Sequence, residues 1–367
     1  VDRACGAFDG EISFMKKIKN YIGRSVAGSI AIVLLVIVSL DFISELVDQS
    51  GKVAGNFTFG EVIFYALLSI PSSIYDFLPL ASLVGCLIGL GLLANTSELT
   101  VIRAAGVSIA QIIWMVMRPI LGYIVLGVFL GEAVTPTTDQ YAESRKAIAL
   151  GHQSALQGQR GVWNREGNEF MHFSAVLPNG KLFGVTRLQF DDHGQLLSST
   201  YVESAIFQED YWFERNGTGS VLAEDKVTTH VFATNIWRSE LSPKLLDVLV
   251  LSAEDLPMKR LYSYADYLER QGQDGREYKL AFWQKALQPL ATASLVMIAI
   301  SFIFGPLRQV TMGFRIFTGV IVGIVFRTTQ DLLGPSSLIF GFSPLVAVLF
   351  PILVCALLGS LLLRRSV

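Results

Sequence analysis

The chain has 367 residues, 51% of them hydrophobic and only 16% charged, and its mean hydropathy of +0.49 excludes an ordinary water-soluble globule. The formal net charge of −2 hides an asymmetry: Thr137 to Tyr278 carries 20 acidic against 14 basic side chains, the remainder 11 against 15. An acidic, polar middle is therefore inserted between apolar ends with basic flanks, the pattern of a polytopic membrane protein.

Residues 1–14 precede Met15, where MKKIKNYIGRS reads as a natural cytoplasmic opening, and are set aside from the fold reading as an N-terminal extension, native or not. Six stretches are apolar enough to cross about 30 Å of hydrocarbon with about 20 residues each. They lie roughly at 25–47, 62–94, 109–134, 280–304, 313–334 and 338–363. The second is over-long, and Pro71 and Pro79 are expected to kink or divide it. Spans 1–3 thus occupy 15–136 and spans 4–6 occupy 279–367. Lys16, Lys17, Lys19, Arg24, Arg103, Arg308, Arg315, Arg364 and Arg365 all fall on one face of such a six-span chain. The positive-inside rule makes that face cytoplasmic, with both termini, and puts residues 137–278 outside.

That outer segment reads as β-structure. GVWNREGNEFMHFSAVL, KLFGVTRLQF, LLSSTYVESAIFQ, YWFERN and VTTHVFATNIW are short runs of aromatic and β-branched residues. PNG (178–180), DDHG (191–194) and RNG (215–217) are the turn signals between them. An antiparallel sandwich or open barrel is expected, with Phe170, Phe183, Phe190, Tyr201, Phe207 and Phe232 on its inner face. Residues from Met258 to Gln271 carry tyrosines and leucines at helical spacing and end at Gly272, which predicts a helix leading back to the membrane.

Between spans 2 and 3 stands NTSELTVIRAAGVS (95–108). Polar residues and Glu98 lead in and Gly106 closes, a start and a stop for a helix over 95–107 too short to be stable alone. Leu99, Ile102 and Ala105 share an apolar stripe, while Glu98 and Arg103 suit the two ends of the helix dipole. Two readings stand: a contact for a partner, or an interfacial turn on lipid headgroups.

Catalytic signals are missing. No GxxxxGK[ST] loop, no HExxH and no GxSxG occurs, and His152, His172, His193 and His230 are scattered. Cys5, Cys86 and Cys355 form no CxxC pattern and frame no domain, so neither a metal site nor a disulfide is expected. A polytopic membrane protein without catalysis is expected.

Several motifs together resemble the LptF/LptG lipopolysaccharide export permease family. They are YIGRS (21–25), LVDQ (46–49), the stretch from Leu78 to Ser108, GVWNREGNEF (161–170), FWQKALQPL (282–290) and FIFGPLRQVTMGFR (302–315), the last two favouring its LptG branch. The resemblance implies a permease half of an ABC transporter in the inner membrane of a Gram-negative bacterium. LptF would be its heterodimer partner, an LptB dimer would bind ATP and Mg and hydrolyse the nucleotide, and the β-jellyroll-like outer domain would join LptC. It also implies that 95–107 is the coupling helix on LptB, with Glu98, Leu99, Ile102, Arg103 and Gly106 at the contact. A mechanotransmission subunit resembling FtsX or MacB is the alternative, with four spans instead of six.

Lipopolysaccharide, taken from the outer leaflet, would need a wide apolar cavity rimmed by cations, between spans 1 and 5 of the two permeases. Arg327, with Phe326 beside it, and Lys285 are the candidate contacts, with Lys52 and Lys279 behind them. Against these, Arg327 stands four residues from Asp331 and can pair with it, and Lys285 can snorkel to the headgroups. Asp41 and Glu45 share one face of span 1 and have the wrong sign for phosphate, so a cation from LptF, a bridging divalent ion or water would have to face them.

Overall fold

The computed structural model describes residues 2–53, 57–150, 162–176, 181–208, 210–223, 226–239, 253–270, 274–305 and 310–366. PNG (178–180), His152, Gly272 and Arg308 lie outside them. The chain divides into two compact units, one of Val1–Asp41, Ser72–Glu132 and Leu261–Val367, the other of Phe42–Pro71 and Ala133–Arg260.

Among the described residues, six helices are long and apolar enough to cross a membrane, as expected. The first, α1 (Asp2–Ser50), runs unbroken through the residues ahead of Met15. The over-long second stretch is divided at Ser69 into α2 (Phe59–Leu68) and α3 (Ile70–Asn95). Pro71 falls in the first turn of α3, where a missing N–H costs nothing, and Pro79 stands inside the helix. A short α4 (Glu98–Ala104) leads to α5 (Ile109–Phe129). A π-helical turn, Leu130–Val134, carries the chain into α6 (Thr135–Leu150), so the helix passes through position 137, where the polar segment was expected to begin. The return is α7 (Met258–Arg270), α8 (Arg276–Phe304), α9 (Met312–Phe340) and α10 (Pro344–Ser366).

In the first unit α3 is the central helix, and glycine sets how closely its neighbours come. A Cβ on Gly85 would stand 2.5 Å from Ile30 Cα, and one on Gly89 2.8 Å from Val26 Cα, so α1 and α3 touch backbone to backbone. Leu78 to Leu93 of α3 are almost continuously buried. The most apolar stretches of α3 and α8 are 67% and 61% buried within the chain, whereas that of α9 is only 17% buried. Helices α1 and α9 therefore present long uncovered rows, among them Leu35 and Leu40 on one and Phe317, Val325 and Leu332 on the other.

In the second unit six antiparallel strands pair in sequence order: β1 (Val162–Glu166), β2 (Glu169–Val176), β3 (Lys181–Phe190), β4 (Leu196–Gln208), β5 (Tyr211–Ala223) and β6 (Lys226–Trp237). The first expected run is two strands, because Gly167 at φ 58° turns the chain between them. DDHG is a turn as expected: the Asp191 carboxylate accepts from the backbone N–H of His193 and Gln195 at 2.9 and 2.7 Å. RNG is not. Asn216 lies inside β5 in the left-handed region, at φ 53°.

That position has a consequence for the whole sheet. Phe183, Ser204 and Arg215 pair in one row and Val185, Val202 and Gly217 in another, so Gly184, Glu203 and Asn216 lie in line between them. Gly184 is also left-handed, at φ 58°. A left-handed residue breaks the strict alternation of a strand. In β5 the buried positions are Trp212 and Glu214 before Asn216, then Gly217 and Gly219 after it. The inner cluster is thus Met171, Phe173, Leu182, Val185, Val202, Ala205, Trp212 and Trp237, with Phe207 and Phe232 against it. Phe170, Phe183, Phe190 and Tyr201, expected inside, are not among them. Phe170 and Phe190 pack edge to face at 5.4 Å, and Lys181 Nζ lies 4.5 Å from the centre of the Phe183 ring.

The same interior holds charge. Arg187 Nη2 meets Glu214 Oε1 at 3.0 Å and Arg187 Nη1 meets Glu169 Oε1 at 3.1 Å, while Asn235 Nδ2 donates to Glu214 Oε2 at 2.8 Å. Burial pushes the Glu214 carboxyl above its ordinary value of 4.5, although Arg187 and Asn235 pull the other way. Folded Glu214 therefore holds a proton where the unfolded chain has lost it. This contribution to stability grows as pH falls from above the raised value toward 4.5, and Glu214→Gln flattens that part of the profile. Hydrogen exchange of the β4–β6 amides at two pH values checks it; an unchanged slope contradicts it. Gly184→Ala, whose Cβ would meet Ser174 Oγ at 2.5 Å, is expected to destabilise this unit. About 1–3 kcal/mol is the expected loss, read as faster exchange of β2–β5.

Candidate functional site

The short helix between α3 and α5 is held by its own chain. Leu99 and Ile102 are 5% and 9% exposed and belong to the core cluster of the long helices. They seat α4 on the bundle. A seven-residue helix cannot stand alone, so its apolar stripe is used up in anchoring it. The opposite face is open: Val101 is 66% exposed, and Thr100, Ala104 and Ala105 are exposed around it.

The ends of α4 are also anchored. Thr96 Oγ1 donates to Glu98 Oε1 at 3.0 Å, and Tyr21 of α1 lines the same groove as Glu98. The Arg103 guanidinium lies 5.9 Å from the centre of the Phe304 ring at the end of α8. Ser97 occupies the N-cap position but is left-handed, at φ 61°, and makes no side-chain cap bond. The capping box stands one element later, where Ser108 Oγ accepts from Gln111 N and Gln111 Oε1 accepts from Ser108 N at the start of α5. Gly106, at φ 91°, makes the expected stop and turn.

Between α4 and the beginning of α1 runs a groove of about 730 Å³. Ile18, Val101, Ile102 and Ala105 make it apolar, and Lys17, Arg24 and Glu98 bring charge to it. Tyr21 and Val101 were missed by the sequence reading. The exposed face of α4 could have been inferred, because a stripe at Leu99 and Ile102 turned inward forces Val101 outward.

The charged candidates each have a partner within the chain. Lys285 is 7% exposed and donates to the carbonyl of Gly131, at 3.2 Å, in the π-helical turn. Its Nζ lies 5.8 Å from the centre of the Tyr75 ring. This hydrogen bond ties Lys285 to the widened turn. Phe326 is 6% exposed and packs in the core. Arg327 pairs with Asp331 at 3.3 Å, both side chains more than half exposed. Asp41 accepts from Ser73 Oγ at 2.6 Å and Glu45 from Gln49 Nε2 at 2.7 Å. Lys52 pairs with Asp48, and Lys279 with Glu269 at 2.6 Å.

A sequence profile for the "Lipopolysaccharide export system permease LptF/LptG" matches residues 20–365. This chain belongs to the LptF/LptG family. It is 34% identical over 351 residues to the lipopolysaccharide export system permease protein LptG of Escherichia coli strain K12, across 95% of this chain and 98% of that one. The LptG protein of Haemophilus influenzae is 33% identical over 350 residues, again across 95% and 98%. The six long helices and the inserted β-sheet are accordingly the body of a family permease.

Because Lys285 serves the π-helical turn, Lys285→Met is expected to lower stability in detergent by about 1–3 kcal/mol. Crosslinking of lipopolysaccharide at α9 should be unaffected; a selective loss of that crosslink at unchanged stability would make Lys285 a substrate contact.

Proposed function

We propose that this chain is a non-catalytic permease subunit of an ABC transporter that extracts lipopolysaccharide from the outer leaflet of the inner membrane. LptF is the second permease, an LptB dimer binds ATP and Mg and supplies the hydrolysis, and LptC receives the substrate beside the β unit. Both termini and α4 face the cytoplasm and the β unit faces the periplasm. The names of the similar proteins support the substrate, and the absence of a nucleotide-cradling loop from the sequence supports a motor in another chain.

The observation that carries the reading is α4 itself: an element anchored on one face by Leu99 and Ile102 and open on the other at Val101. A rigidly seated projection beside an apolar groove is what a soluble motor can press against. On the membrane side, the uncovered rows of α1 and α9 offer apolar wall for acyl chains, and Arg327 offers a guanidinium for phosphate. Its pairing with Asp331 is an exposed i,i+4 contact worth only about 0.3–0.5 kcal/mol, so an anionic ligand can displace it. Asp41 and Glu45 of α1 have the wrong sign for phosphate and are left out of the anion contact. Six long apolar helices favour this reading over a four-span mechanotransmission subunit.

Val101→Asp places a charge on the open face of α4 without disturbing its seat. It is expected to weaken co-purification of the ATPase by about tenfold or more. Full retention of the ATPase, with normal hydrolysis, would sink the assignment of α4.

A further inference from the structure

Helix α3 ends at Asn95, and α4 starts only three residues later at Glu98. Whatever moves α4 therefore moves the end of α3. At that end stands Arg315, from the first turn of α9, a charged side chain only 1% exposed. Its Nη1 donates to the Gly91 carbonyl and to Asn95 Oδ1, both at 3.0 Å. A buried guanidinium is costly unless acceptors surround it, so the fold must hold this geometry closely. The acceptors lie in the last turns of α3, the negative end of its dipole.

Gly91 makes the room. A Cβ there would stand 3.1 Å from Arg315 Nη1 and 3.1 Å from Met312 Sδ. The contact then continues along α9 at four-residue steps. A Cβ on Gly319 would be 2.4 Å from Leu87 Cδ1, and one on Gly323 2.1 Å from Leu80 Cδ1. Arg315, Gly319 and Gly323 thus form one stripe on α9 that receives α3, and only its first member is a directional, hydrogen-bonded contact. Leucine in a glycine notch can slide; a bidentate donor on backbone and side-chain oxygens cannot without breaking bonds.

We propose that Arg315 is a positioning residue that transmits displacement of α4 to α9 by pinning the end of α3 to the first turn of that helix. Arg327 lies three turns further along α9, so the pin joins the motor contact to the helix that presents a cation to the substrate. The inference rests on the proposed role of α4. Without the pin, α3 moves past α9, and hydrolysis runs without moving substrate.

The test uses the assembled transporter in lipid, with Arg315→Gln, Arg315→Lys and, independently, Gly91→Ala. Lipopolysaccharide released per ATP is expected to fall about tenfold in Arg315→Gln while ATP turnover stays within about twofold, the size of an ordinary coupling free energy. Arg315→Lys should recover part of the ratio, and Gly91→Ala should lower it by crowding Nη1. Spin labels at Ile324 on α9 and Leu361 on α10, both exposed, should show a distance change on ATP trapping in the parent that shrinks in Arg315→Gln. Unchanged release per ATP, or release and hydrolysis falling together in a complex that still assembles, would overturn the proposal. Where Arg315→Gln fails to assemble, the same two readings on Gly91→Ala decide. Failure of the parent chain to bind any ATPase would instead overturn the proposed function.

Discussion

Inside a membrane, lipid is as apolar as leucine, so helices are not driven together by burial and must fit closely to stay together. Everything in the helical unit depends on how α3 meets that demand. Gly85 and Gly89 let α1 approach to backbone contact, and Gly319 and Gly323 of α9 take leucines from the opposite direction. The two helices with the longest uncovered apolar rows are thereby referred to a single central rod. That rod ends in α4, whose buried Leu99 and Ile102 continue the same core.

The β unit solves a different problem. Water surrounds it, and a six-strand meander with strict alternation would offer one flat apolar face. Left-handed Gly184 and Asn216, in one row across the strands, exchange the inward and outward positions. The interior can then collect side chains of both parities, including Arg187 with Glu169 and Glu214. Such a buried cluster adds little net stability, but it requires one register, since a one-residue slip would leave charges unpaired.

Charges in the membrane divide into two kinds by what displacing them would cost. Lys285 and Arg315 are buried on backbone carbonyls of neighbouring helices and are part of the framework. Among the described residues, Arg327 is held by Asp331, an exposed neighbour on its own helix. Desolvation has already been met for the first two and would have to be met again if they moved. For the third, exchange of Asp331 for another anion changes little. The difference between structural and exchangeable cations is therefore one of burial, and side-chain type does not distinguish them.

The sequence by itself determined the six spans, the break near Pro71, the antiparallel strands of the insert, the DDHG turn and the existence of α4. Each is written in local features: apolar length, proline geometry, strand periodicity, a carboxylate that caps its own turn. Only the tertiary structure decided which face of α4 is free, because a stripe of Leu99 and Ile102 looks the same whether it meets a partner or its own bundle. It also decided that RNG is a row of strand inversion, that Phe170 and Tyr201 face away from the core, and that Lys285 and Arg315 bind carbonyls 154 and 224 residues away in the chain. Those outcomes depend on what a side chain meets across long sequence separations, which hydropathy and spacing do not encode.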